Sequence, residues 1–259
     1  MRRVRIGATV RGTFDFALTL RVVVGCAGGW SVLLLVAMLV DWAFHSQMRW
    51  FGEIGRTAAT VLAFAGMAVN VHRRILLGES PSLLRIGRSE MTYAWRALVM
   101  GIFLVVVILV LALLYYLGSY LLGIGPPGRI LMGILCACVA LFLLIEFIGS
   151  VLVLPAAAVN KAGFRWSAAW EAAERNKLAI LSVWVICWLP LALPSAALVV
   201  IEPRLASWPG GSLAAEVARW IIAVAESVLT AAWISLVFSG LVDGNPDFAV
   251  TSTDGGGDT

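Results

Sequence analysis

Two acidic side chains stand inside long apolar runs, Glu146 in LLIEFIGS and Glu226 in IIAVAESVLT. A carboxyl group near the centre of an apolar layer costs about 2 to 3 kcal/mol on insertion scales, so it faces neighbouring helices and finds a partner or a role. Ser150 follows Glu146 by one helical turn, and Arg219, Glu226 and Thr230 share a helical face, which argues for a polar seam between helices. Two chemistries fit: a path for protons or substrate, or protonated acids hydrogen-bonded across a bundle.

A second grouping is Asn70, His72, Arg73, Arg74 and Glu79, within ten residues of one another. An imidazole beside two guanidinium groups and a carboxylate suits a phosphate-binding or acid-base cluster at a headgroup plane. More often such a run is an electrostatic anchor to anionic lipid. Signatures of intramembrane enzymes are absent: no H-E-x-x-H, no paired aspartate motif and no G-x-S-x-G. Cys136 and Cys138 point to different sides of a helix, and Cys26 and Cys187 lie in apolar runs, so no metal site or disulfide framework is expected. The expectation is a non-enzymatic protein without cofactor.

Positioning these groups falls to the apolar runs. With 61% hydrophobic residues, 13% charged residues and a mean hydropathy of +0.95, the chain of 259 residues carries more apolar surface than a water-soluble domain can bury. Membrane lipid is the solvent that suits it. Six runs, at about 22–44, 54–71, 97–124, 130–159, 178–201 and 213–242, are candidates to cross a hydrocarbon layer of about 30 Å. The first is not read as a cleaved signal, because Asp41, Trp42 and His45 follow it in place of a small-residue site. The second is weakest, with Arg56 at its edge. It is read as crossing because otherwise Arg73, Arg74, Arg85, Arg88 and Arg96 would oppose the N-terminal arginines. Gly25 and Gly29 form a small-xxx-small pair suited to a close helix neighbour, and Pro190 and Pro194 predict a kink in the fifth span. Trp42, Trp50, Trp95, Trp170, Trp208 and Trp220 fall near predicted interfaces, as an aromatic belt requires.

Two basic connectors then read as amphipathic elbows riding on the inner leaflet. In the first, Ser80-Pro81 predicts a helix start, after which Arg85, Arg88, Ser89, Thr92 and Arg96 form a polar face against Leu84, Gly87, Met91, Ala94 and Leu98. The second sets Trp166, Ala169, Trp170 and Ala173 against Ser167, Glu171, Glu174 and Arg175, with Glu171 and Arg175 spaced as an i,i+4 pair. Fourteen Lys and Arg residues fall in the N-terminal segment and the two connectors, against five elsewhere, which places both termini in the cytoplasm. Residues 243–259, acidic and glycine-rich, predict a disordered tail. The fold class expected is all-α: one polytopic membrane bundle of six transmembrane helices over residues 1–242, with two cytoplasmic elbow helices.

Met67-Ala68-Val69-Asn70 is echoed by Ala157-Ala158-Val159-Asn160, each followed by a basic elbow, as a parallel duplication would produce. Asn70 to Glu79, with Leu154-Pro155-Ala156 and Ser167-Ala168-Ala169-Trp170, resembles a group of uncharacterised bacterial six-span inner-membrane proteins. These are distantly similar to the membrane domain that precedes some glycerophosphodiester phosphodiesterases. The resemblance implies topology and a bacterial cytoplasmic membrane. It does not imply that activity, because this chain lacks the soluble catalytic domain. The expected role is a membrane component that organises lipid or partner proteins through its elbows, with anionic headgroups and a membrane protein as partners and no nucleic acid. The alternative is a small transporter or channel using Glu146 and Glu226.

Overall fold

A computed structural model describes residues 2–44, 49–82, 84, 86–121, 125–205, 208 and 210–251, with the side chains of 41–56, 121 and 249–251 left aside. Nine helices occur among the described residues: α1 (Ile6–Leu18), α2 (Leu20–Phe44), α3 (Arg49–Leu77), α4 (Arg88–Tyr116), α5 (Pro126–Ile148), α6 (Val153–Ala158), α7 (Trp166–Ala173), α8 (Lys177–Leu205) and α9 (Gly211–Phe238). π-helical turns extend α4 through Leu117–Leu121 and α9 through Ser239–Asp243. The protein is all-α apart from two three-residue strands, β1 (Arg2–Val4) and β2 (Ala249–Thr251). Six helical segments are long and apolar enough to cross a membrane: Leu20–Val40, Thr57–Leu77, Arg88–Tyr120, Pro126–Ala158, Trp166–Leu205 and Gly211–Asp243. α8 continues as a helix through Pro190, Pro194 and Pro203.

α3 and α9 form the centre and are the most buried of the six. α2 packs on α3 through Trp30 and Leu34, which meet Ala63, Ala65 and Met67 in one buried cluster. A second cluster joins α7, α8 and the end of α9 through Ala169, Ala173, Ile180, Val183, Val237 and Phe238. α4, α5 and α8 are covered least, and many of their large apolar side chains, such as Ile108, Leu109, Leu135, Phe142 and Leu193, are exposed.

Both termini and both long connectors gather at one end. β1 pairs antiparallel with β2, Arg3 opposite Val250. Asn176 extends this ribbon as a peptide mimic, accepting from the Val4 amide and donating to the Arg2 carbonyl, both at 3.0 Å. Arg2 reaches the carbonyls of Leu241 and Val242 at the end of the α9 extension, where a cation suits the negative helix pole. Gly244 makes the turn beyond it at φ 79°, and a Cβ there would strike the Arg2 guanidinium. Within the segment from Asp243, read from sequence as a disordered tail, the structure has the end of the α9 extension, a turn and β2; residues 252–259 lie outside the described residues.

The N-terminal segment, expected only as a basic flank, forms α1. Ile6, Val10 and Phe14 pack on the α7–α8–α9 cluster, while Arg11 and Asp15 point outward. Thr9 and Thr13, fully buried, return their hydroxyls to the carbonyls four residues back.

The first connector differs from the expectation. No helix starts at Ser80-Pro81. Instead α3 ends at Gly78 in the left-handed conformation, and Asn70 holds the next stretch extended: Nδ2 donates to the Ser82 carbonyl at 2.8 Å, and Ser82 Oγ donates to Asn70 Oδ1 at 3.3 Å. α4 begins only after Gly87, whose amide donates to the Glu90 carboxylate at 2.9 Å. Its first turns divide the predicted polar face, leaving Arg88 exposed. Ser89, Glu90 and Arg96 turn into the bundle, whereas Met91, Trp95 and Leu98 are exposed. Arg85 lies outside the described residues.

α7 is the helix of the second connector, laid across the break between α5 and α6. Ala169 and Ala173 are fully buried there, with Gly149 so close that a Cβ would meet Ala173 at 2.8 Å. Glu171 and Arg175 form no ion pair among the described residues. The two halves of the sequence echo also differ: Asn70 sits inside α3, whereas Asn160 ends α6 at φ 53°. They meet through Arg73, whose Nε donates to the Ala158 carbonyl at 3.0 Å. Arg96 donates likewise to Val153 at 2.9 Å. Two arginines from neighbouring helices therefore donate to the carbonyls of the first and last residues of the short α6, the last having no further helical turn to bond it.

Candidate functional site

The grouping from Asn70 to Glu79 divides once folded. Asn70, with Nδ2 3.0 Å from the Cys26 carbonyl, pins α2 and the connector to α3. Arg73 bonds Ala158 and stands 3.4 Å from Glu79 Oε2. Arg74 is exposed and donates to the Gly78 carbonyl at 3.3 Å. His72 points the other way, fully buried, against the Tyr93 ring and 2.6 Å from Ser235 Oγ through Nδ1. Ser235 spends its one proton on the Ala231 carbonyl at 2.7 Å, so its oxygen accepts from His72 Nδ1–H. His72 Nε2 is left buried without a partner. The structure therefore brings Arg73 and Glu79 together and takes His72 out of their company.

Glu146 has a counter-charge that sequence spacing did not reveal. Lys177, at the start of α8, is 2.5 Å from its Oε2 and lies over the Trp170 ring. Glu146 borders a cavity of about 330 Å³ that Met100, Phe103, Phe147, Trp166 and Trp170 line with apolar surface. Ser150, expected to extend a polar seam, turns its hydroxyl back to the Phe147 carbonyl.

Glu226 has no such cation. Its Oε1 lies 3.2 Å from Ser195 Oγ on α8, and it forms no ion pair among the described residues. It lines a cavity of about 660 Å³ between α3, α4 and α9, together with Tyr93, Ser227 and Thr230. Arg219, two turns toward the far end, belongs to a separate cavity of about 320 Å³ with Thr57 and Thr60. The Arg219 guanidinium is taken by Glu202 at 2.9 Å and Glu216 at 3.0 Å. Val61, Phe64 and Ala223 line both cavities and stand where they adjoin.

Glu146 and Glu226 do not share a cavity. One face of α4, with Leu98, Ile102 and Val105, borders the Glu226 space; the other, with Val99, Met100 and Phe103, borders the Glu146 space. No group of three or more His, Cys, Asp or Glu side chains suited to a metal ion occurs among the described residues. Comparison of the chain with protein-family models, with curated proteins and with solved structures finds no match.

Proposed function

We propose that the chain is a non-enzymatic, multi-pass component of a bacterial cytoplasmic membrane that organises anionic lipid around its inner end, where both termini and both connectors lie. The carrying observation is the surface of that end. Arg3, Arg11, Arg21, Arg88, Arg165 and Arg175 are exposed, and their guanidinium groups take part in no ion pair or hydrogen bond among the described residues. Beside them Leu84, Ile86, Met91, Trp95, Trp166 and Leu178 expose large apolar side chains. Unpaired guanidinium groups beside apolar side chains suit the boundary between headgroups and acyl chains, each cation contributing about 1 kcal/mol toward an anionic leaflet. The alternative of one transport path through Glu146 and Glu226 has less support, since α4 stands between their cavities.

The test is native mass spectrometry of the full chain released from a mild detergent after equilibration with mixed phosphatidylglycerol and phosphatidylcholine. The wild type retains phosphatidylglycerol in preference. Arg88→Gln/Arg165→Gln/Arg175→Gln loses much of that preference without losing phosphatidylcholine. An unchanged preference in the triple variant overturns the reading.

A further inference from the structure

The cavity between α3, α4 and α9, at about 660 Å³, has the size of pockets that hold drug-sized molecules. Val61 and Phe64 of α3 and Ile102 and Val105 of α4 make its walls apolar, while α9 contributes Glu226. On α4, Ile102 and Val105 are each 55% exposed, so the space opens sideways between helices.

We propose that this groove binds an amphiphilic organic cation, with Glu226 as its counter-charge. Glu226 sits near the middle of the Gly211–Asp243 segment, roughly 22 Å from one end and 26 Å from the other at 1.5 Å per residue. A carboxylate at that depth needs a partner, and no Lys, Arg or His side chain lines the groove among the described residues. Arg219, the cation on the same helical face, is already held by Glu202 and Glu216. Only Oε1 of Glu226 has a neighbour, Ser195; Oε2 has none among the described residues. An anionic ligand would meet repulsion, and an acyl chain alone would cover the apolar walls while leaving the carboxylate unpaired. A cation carried on a ring-bearing or aliphatic body satisfies both. The Phe64 and Tyr93 rings add faces on which such a cation can rest. The site is independent of lipid retention at the inner end.

The experiment measures equilibrium binding of radiolabelled tetraphenylphosphonium to the full chain in nanodiscs of zwitterionic lipid, with tetraphenylborate as an anion of the same shape. The wild type binds the cation saturably and the anion not at all. Glu226→Gln lowers cation affinity about tenfold or more, as expected when a contact to a charged group is lost, and Glu226→Asp retains most of it. Gly101→Trp, on the groove wall where an added side chain meets no atom within 4 Å, blocks binding with the carboxylate intact. Absence of saturable binding by the wild type, equal affinity for tetraphenylborate, or undiminished binding by Glu226→Gln or Gly101→Trp overturns the proposal. Should Glu226→Gln fail to fold, the cation-anion comparison on the wild type and Gly101→Trp decide it. Arg88→Gln/Arg165→Gln/Arg175→Gln binds the cation as the wild type does, which separates this site from the lipid surface.

Discussion

The Ser235 hydroxyl has one proton and two polar neighbours, and the whole protonation pattern at His72 follows from that. The proton goes to the Ala231 carbonyl, so the oxygen is left to accept from His72 Nδ1–H, and the imidazole lone pair on Nε2 stays unpaired in a fully buried site. Ser235→Ala removes the only acceptor and leaves both ring nitrogens without a partner, at a cost of about 1–3 kcal/mol. The double variant Ser235→Ala/His72→Phe removes both sides of the contact, so its loss is smaller than the sum of the two single losses. Reversible unfolding in mixed micelles measures the cycle; strict additivity would show that the contact contributes nothing. Sequence reasoning placed His72 among arginines at a headgroup plane because it is their neighbour along the chain. On a helix, adjacent residues point about 100° apart, and here that angle separates a core imidazole from Arg73 and its bond to Ala158.

Helices meet where small residues permit it, and the permitting residue is Gly66. A Cβ on Gly66 would lie 2.1–2.5 Å from the Trp30 indole, which is 1% exposed, so α2 and α3 cannot keep their spacing with alanine there. Gly66→Ala is expected to destabilise by about 1–3 kcal/mol through overpacking, whereas Gly101→Ala, meeting no atom within 4 Å, is neutral or stabilising. Thermal unfolding of the two variants side by side checks this, and equal midpoints would contradict the α2–α3 packing. The pair noticed in the sequence, Gly25 with Gly29, gave a different expectation; Gly25 faces Pro81 of the connector. The long helices were legible because an apolar run of span length has few alternatives: runs read at 22–44, 130–159 and 213–242 correspond to Leu20–Phe44, Pro126–Ala158 and Gly211–Asp243. α1 was not, since Thr9 and Thr13 interrupt its buried face and its thirteen residues are too few for a span. Nor was the late start of α4. Ser80-Pro81 is a sound local signal, but Asn70 occupies Ser82 from another helix, and no local pattern encodes that. The groove beside Glu226 was illegible for the same reason, since α9, distant in sequence, closes it against α3 and α4.

At the scale of the whole molecule, the β1–β2 pairing, the Lys161–Asp243 contact and the Arg73–Ala158 bond tie both termini and both connectors to one end. Six crossings by the candidate spans would require such an arrangement, and the topology proposed from the arginine bias puts that end in the cytoplasm. Single cysteines test the assignment in cells. The background replaces Cys26, Cys136, Cys138 and Cys187 by alanine; the first and last are buried and Cys138 is exposed. Leu84→Cys, on the first connector and 59% exposed, should resist a membrane-impermeant maleimide applied to intact cells and react once the membrane is opened. Trp208→Cys, between α8 and α9 and 67% exposed, should react without opening. The ribbon supplies an internal check, because Arg3→Cys and Val250→Cys occupy facing positions and should form a disulfide on oxidation of the purified protein. Labelling of Leu84→Cys from outside would place α3 wholly on one side of the bilayer or invert the molecule. Either result would take the arginine surface away from the anionic leaflet on which its proposed role depends.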